Sequence, residues 1–129
     1  MSLNMRNSRL TTKCFDYMGK CMQGHDFNIT ALNLKFCFLS FDQIKKLADS
    51  LKYNKTLIKL DLSNNALTPL VGNYLLEQLK PNIYISDINF HGNRLTDDFA
   101  TSLAELLQHN QVLYKVGISA NPISPVGAR

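Results

Sequence analysis

Apolar positions along this chain recur in a fixed order. From Leu57, the residues Leu57, Leu60 and Leu62 are spaced as a short inward-facing strand. A polar turn, Ser63-Asn64-Asn65, leads to Leu67. Leu75, Leu76 and Leu79 then share one helix face, because residues three and four apart stack on the same side of a helix. Moving 28 residues in either direction returns the pattern. Ile29, Leu57, Ile85 and Leu113 form one column; Leu32, Leu60, Ile88 and Val116 a second; Leu34, Leu62, Phe90 and Ile118 a third; Leu39, Leu67, Leu95 and Ile123 a fourth. The helical half supplies Ile44, Gly72 and Ala100; Leu47, Leu75 and Leu103; and Leu51, Leu79 and Leu107. Two polar columns accompany them: Cys37, Asn65, Asn93 and Asn121 at the turn, and Asn54, Asn82 and Asn110 where each unit closes. A fixed period of this length marks a stacked architecture in which each unit is one strand, one turn and one helix.

The units divide as 29–56, 57–84 and 85–112, with an incomplete unit at 113–129. Residues 1–28 form a degenerate first unit and N-terminal cap, visible at a shift of 29: Leu3 matches Leu32, Met5 matches Leu34, and Phe15, Met18 and Met22 match the helix columns. Gly24 is the expected stop of that first helix. The pattern predicts a strand over 31–34 and a helix over 42–51, capped by Ser40 or Asp42. Thr68-Pro69 opens the next helix, where proline sits without cost because the first amides of a helix have no partner. Thr96 or Asp97 opens the third, and Ser124-Pro125 begins another. Stacked repeats expose apolar core at an uncapped end, so a continuation of the chain or a further molecule of a larger assembly is expected over the C-terminal side.

The turn column has a mechanical reason. Each strand is followed by a sharp reversal that buries backbone amides and carbonyls, and an asparagine side chain can satisfy both kinds. Asn65, Asn93 and Asn121 are therefore expected to form a ladder, with Cys37 as a small buried substitute.

These columns resemble the leucine-rich repeat superfamily, and the length of 28 with a helical second half is similar to its ribonuclease-inhibitor-type class. That class includes ribonuclease inhibitor, Ran GTPase-activating protein, tropomodulin and the repeat domains of Nod-like receptors. The resemblance implies an α/β fold: a leucine-rich-repeat solenoid, a curved right-handed β/α stack with a parallel sheet on the concave face and helices on the convex face. It carries no functional residue to a particular position, because the repeated residues are those that build the scaffold.

Composition adds little to this picture. The chain has 129 residues, 45% hydrophobic and 19% charged, as expected of one globular domain. No apolar run approaches the ~18 residues of a membrane span. The polar residues 1–10 lack the apolar stretch of a secretory signal, and three cysteines, an odd number, read as free thiols in a reducing compartment. The sequon at Asn54-Lys55-Thr56 is accordingly not expected to carry sugar. A net charge of +4 is modest, and the local basic stretch Lys45, Lys46, Lys52, Lys55 and Lys59 reads as a solvated helix face, so nucleic acid is not expected. His25, His91 and His109 fall in different columns, and no His, Cys or carboxylate set has metal-ligand or catalytic spacing, so neither a cofactor nor enzyme chemistry is expected.

Side chains alternate along a strand, so residues between the inward leucines face out. They form the columns Ala31, Lys59, Asp87, Lys115; Asn33, Asp61, Asn89, Gly117; and Lys35, Ser63, His91, Ser119. Of these, Lys35, Lys59, Asp61, Asp87, Asn89, His91 and Lys115 are candidate partner-binding residues, although Lys59, Asp87 and Lys115 are also placed to pair sideways. A sharper anomaly is Phe36, Phe38 and Phe41. Their columns carry Asn64, Gly92 and Ala120; Ala66, Arg94 and Pro122; and Pro69, Asp97 and Pro125 in the later units. Exposed clustered aromatics mark binding surfaces; the alternative is packing beneath the first unit near Phe15 and Phe27. The resulting expectation is a non-enzymatic, cytoplasmic interaction module, a scaffold or adaptor that binds another protein through its concave face or rim. A regulator of a GTPase or other enzyme, and a structural component of a cytoskeletal or ciliary assembly, are the alternatives.

Overall fold

The computed structural model describes residues 2–23, 29–110 and 112–123. Within them, three-residue strands and longer helices alternate: β1 (Ser2–Asn4), α1 (Thr12–Gln23), β2 (Ala31–Asn33), α2 (Phe41–Leu51), β3 (Lys59–Asp61), α3 (Pro69–Leu79), β4 (Asp87–Asn89), α4 (Asp97–His109) and β5 (Lys115–Gly117). The strands form one parallel sheet in chain order. Parallel neighbours need a crossover long enough to return the chain, and each helix supplies it. The pairing register follows the columns: Leu3 lies beside Leu32, Leu32 beside Leu60, Leu60 beside Ile88 and Ile88 beside Val116. Residues 24–28 and 124–129, which include Gly24, His25, Phe27 and the expected helix start at Ser124-Pro125, lie outside the described residues.

Local chemistry sets the helix starts. Ser40 caps α2 with a reciprocal pair: Gln43 N donates to Ser40 Oγ (3.2 Å), and Ser40 N donates to Gln43 Oε1 (2.9 Å). Gln43 is buried and also donates to Leu10 O (2.7 Å), tying the first unit to the second. Thr68 and Thr96 begin α3 and α4 without a side-chain cap bond, and Pro69 occupies the first turn of α3.

One continuous core runs between the sheet and the helix layer, and the Met-rich first unit belongs to it through Phe15, Met18 and Met22. The last helix departs from the expected columns. Leu107 is 41% exposed, whereas Leu106 is buried. Phe99 explains the rotation: it packs edge-on against Phe90 with ring centroids 5.1 Å apart and fills the space over Gly72. Leu106, two turns further on, follows Phe99 inward, which turns Leu107 out.

Two asparagine ladders bind the units. At the turn, Asn93 Oδ1 accepts from Asn65 N (2.9 Å) and Leu67 N (3.0 Å), while its Nδ2 donates to Leu62 O (3.1 Å) and Phe90 O (2.8 Å). Asn65 and Asn121 repeat the scheme one unit to either side. Cys37 occupies the same position: its Sγ lies 2.9 Å from Met5 O and 3.6 Å from Lys35 O, equivalents of two carbonyls that Asn65 serves. The second ladder sits at the opposite end of the strands. Asn54 donates to Met22 O, Asn82 to Leu51 O and Asn110 to Asn82 O, and each side-chain oxygen accepts from amides two and three residues ahead. Asn54 is buried in this role, so its sequon is not presented to solvent.

Candidate functional site

Past each strand the backbone ladder continues into the turn. Phe36 N donates to Ser63 O, Asn64 N to His91 O and Gly92 N to Ser119 O. This lateral bonding holds the turn in a left-handed conformation, with φ of 56° at Asn64, 69° at Gly92 and 56° at Ala120. Asn, Gly and Ala have little bulk to place there. Phe36 and Phe38 adopt the same conformation, each with φ of 54°, and a bulky residue in that region is a strained one.

The intervening Cys37 and Leu39 are buried in the core, whereas Phe36 and Phe38 are exposed. Phe36 is 43% exposed and Phe38 66% exposed; neither packs beneath the first unit, where Phe15 fills the core. Each ring instead carries a cation. Lys35 Nζ lies 5.5 Å from the Phe36 centroid, and Arg9 Cζ lies 5.1 Å from that of Phe38. Phe41, 40% exposed at the start of α2, leans on Tyr74 of α3 with centroids 6.1 Å apart. Tyr74 donates its hydroxyl to Asp49, and that bond pushes the phenol up to about 12, with burial adding to it. Cys37 is no nucleophile here: burial pushes its thiol up.

The sheet face away from the helices is a groove of about 660 Å³ lined by Asn4, Lys59, Asp61, Asp87, Asn89, His91 and Lys115, among others. Asp87 stands between Lys59 (3.7 Å) and Lys115 (3.9 Å), its side chain 15% exposed and theirs largely in solvent. Sideways pairing therefore accounts for all three, with each exposed pair worth at most about 1 kcal/mol. Asp61 and Asn89 are half-buried and shape their own turns: Asp61 Oδ1 accepts from Ser63 N and Ser63 Oγ, and Asn89 Oδ1 accepts from His91 N. Ser63, expected to face outward, is buried by this bond. His91 is exposed, and its Nδ1 lies 2.6 Å from Ser119 Oγ.

The structure thus separates the candidates. Lys35, Phe36 and Phe38 lie on the turn after β2 and Phe41 at the start of α2 against Tyr74, while Lys59, Asp61, Asp87, Asn89, His91 and Lys115 line the sheet face. Sequence reasoning missed Arg9 and Tyr74. Arg9 was legible in the register, since a shift of 29 places it in the column of Phe38. Among the described residues no helix is long and apolar enough to cross a membrane.

No family model matches the chain. In sequence it is 30% identical over 99 residues to NACHT, LRR and PYD domains-containing protein 13 of Homo sapiens, a match that takes 76% of this chain. The chain spans about a tenth of the length of that curated relative, 10%. In structure it is similar to leiomodin-1 actin-binding site 2, with a TM-score of 0.78 and 17% identity over 88% of this chain and 67% of that one. It is also similar to the tropomodulin C-terminal domain of Caenorhabditis elegans, with a TM-score of 0.64 and 16% identity over 81% of this chain and 82% of that one. At these identities the structural likeness shows the shared fold: an α/β arrangement with a parallel five-stranded sheet and four helices among the described residues. Together, the relative that carries leucine-rich repeats and these two folds support a leucine-rich-repeat-type superfamily.

Proposed function

We propose that this chain is a non-enzymatic protein-binding unit of a leucine-rich-repeat solenoid, and that its partner belongs to the cytoskeleton. The observation that carries the reading is the pair Phe36 and Phe38. Left-handed backbone costs about 1–2 kcal/mol per non-glycine residue; Phe38 is mostly in solvent and Phe36 only about half covered, so burial offsets that cost incompletely at Phe38. Strain that the fold holds without gaining packing is found where a surface is shaped for a ligand. The curvature implied by the repeat would set this rim beside the open sheet face, giving a partner one continuous surface. The likeness to leiomodin-1 actin-binding site 2 supports a cytoskeletal partner; a place in the cytoplasm, or in a ciliary assembly, is part of the proposal.

The test is cross-linking of the native protein in its own cells, with the linked residues read by mass spectrometry, and co-sedimentation of the purified chain with filamentous actin. Recurrent links from Lys35, Lys59 or Lys115 to one cytoskeletal protein are expected. Links confined to the repeats themselves, with no recurrent partner and no pelleting with filaments, would overturn the reading.

A further inference from the structure

The rim carries charge as well as rings. Arg6 and Lys35 share one column across neighbouring strands, and Arg9 and Phe38 share another. Neighbouring strands lie ~4.8 Å apart, so cations and aromatics interleave within a patch two strands wide. Some cations elsewhere on the molecule are neutralised, whereas others among the described residues, such as Lys52 over the ring of Tyr53, are not. Lys46, Lys59, Lys80 and Lys115 each have a carboxylate within ion-pair distance. Among the described residues, Arg6, Arg9 and Lys35 make no ion pair; Arg9 and Lys35 lie instead over the faces of Phe38 and Phe36. A cation resting on a ring keeps most of its charge available, because the ring supplies about 1 kcal/mol at an exposed site and no counter-charge.

We propose that this rim, Arg6, Arg9, Lys35, Phe36 and Phe38, is a docking site for an acidic segment of a partner protein that carries an apolar anchor. The inference rests on the protein-binding reading above and names the chemistry of its partner. Carboxylates of the segment meet Arg6, Arg9 and Lys35, with Arg9 able to take one in a bidentate pair. The anchor meets the uncovered faces of Phe36 and Phe38, where a carboxylate would face the negative side of the ring system. Apolar and acidic residues must therefore sit close together in the segment. The lateral hydrogen bond of Phe36 holds its turn left-handed, so little backbone ordering remains to be lost there on binding. Cations beside aromatics also suit single-stranded nucleic acid, but such sites track a backbone through an extended positive groove. Here the next unit carries Ser63 and Ala66 in the rim columns, and the adjoining sheet face carries Asp61 and Asp87 beside Lys59 and Lys115.

The experiment uses the full chain labelled with nitrogen-15 and three short synthetic peptides: glutamates flanking one phenylalanine, the same peptide with lysines for glutamates, and the same with alanine for phenylalanine. An oligothymidylate serves as the fourth probe. The first peptide is expected to shift the amide signals of residues 6–9 and 35–39, and Arg9→Glu with Lys35→Glu should weaken it about tenfold or more, as charge reversal does at complementary interfaces. The lysine peptide should bind this double variant better than it binds the wild type. If peptides bind the rim through Phe36 and Phe38 with no preference for glutamate, the acidic partner is overturned while the binding rim stands. If no peptide shifts the rim, or shifts persist unchanged in Phe36→Ser with Phe38→Ser, both readings fall. Rim shifts from oligothymidylate stronger than those from the acidic peptide would also overturn the proposal.

Discussion

Asn93→Ala tests whether the turn ladder holds the stack together. Asn93 is buried, and truncation removes one acceptor and one amide donor. The two carbonyls keep a partner: Leu62 O still accepts from Asn65 Nδ2 and Phe90 O from Asn121 Nδ2. The two donors do not. Asn65 N and Leu67 N both aim at Asn93 Oδ1 and lose their acceptor together. Each orphaned buried donor costs about 1–3 kcal/mol. One water entering the vacated amide space can accept from both and lower the sum, which puts the loss at about 3 kcal/mol. That is a large part of the roughly 5–15 kcal/mol that holds a domain folded.

Urea unfolding followed by circular dichroism reads this directly, as a lower midpoint with an unchanged slope. Asn121→Ala provides the scale. It orphans one donor, Leu95 N, and takes the side-chain donor from Ile118 O, but Asn121 itself is half-buried and water can reach the site, so about 1 kcal/mol is expected. Asn93→Asp separates donor from acceptor. It keeps the oxygen for the two amides but turns a carboxylate toward Leu62 O and Phe90 O, so its stability should recover as pH falls and the acid gains a proton. A loss below about 1 kcal/mol for Asn93→Ala, or one no larger than for Asn121→Ala, would refute the assignment of the buried donors to this side chain.

Phe38→Gly should change stability by less than about 1 kcal/mol in the same melt, because relief of left-handed strain is offset by loss of the Arg9–ring contact and by the greater freedom of glycine in the unfolded chain; a loss of about 2 kcal/mol or more would mean the ring packs. Gly72→Ala should cost about 1–2 kcal/mol, since the new methyl would meet Phe99 Cδ2 at 2.7 Å and Leu95 Cδ2 at 2.8 Å, more than its helix propensity returns; adding Phe99→Leu should recover part of the loss. The ultraviolet difference between wild type and Tyr74→Phe should show one phenol ionising at about 12. Because that pKa lies above the ordinary 10.0, the stability from the Tyr74–Asp49 bond is full below pH 10.0 and is lost as pH climbs through about 12; a difference curve centred near the ordinary value would refute the bond.

The register, the helix starts and the turn ladder were legible because each asks for a residue type at a fixed interval. Leu32, Leu60 and Ile88 must face the core, and Asn65, Asn93 and Asn121 must bridge two backbones, so their columns tolerate little else. The phase of α4 was not legible in the same way. Phe99 and Leu107 are both apolar, and only the fit of a phenyl ring over Gly72 decides which one turns inward. Asp61 and Asn89 lay in an outward column, but a short acceptor two residues before an amide can close a local turn, and that bond occupies the Oδ1 of each. The placement of Arg9 on Phe38 needed both the first-unit shift of 29 and the reach of a long side chain.

Departures from the repeat sort by what the fold gains from them. Cys37 replaces an asparagine yet reaches two of the carbonyls that an asparagine would reach, so the fold absorbs it. Gly92 sits in a left-handed turn against Asn64 Oδ1, where a methyl group would lie 2.1 Å away, so the fold favours it. Leu107 turns outward because Phe99 packs better inward. Phe36 and Phe38 do not fit this account. They put bulk where the backbone prefers none, leave their rings in solvent, and gather cations that make no ion pair among the described residues. Strain, exposure and unneutralised charge each weigh against stability, and they coincide on one turn of one unit. The neighbouring turns, built on the same lateral hydrogen bonds, carry Asn64 and Ala66 or Gly92 and Arg94 and keep the same register without the two rings. The register therefore does not require these aromatics, and the partner proposed at the rim would give them a physical reason to be there.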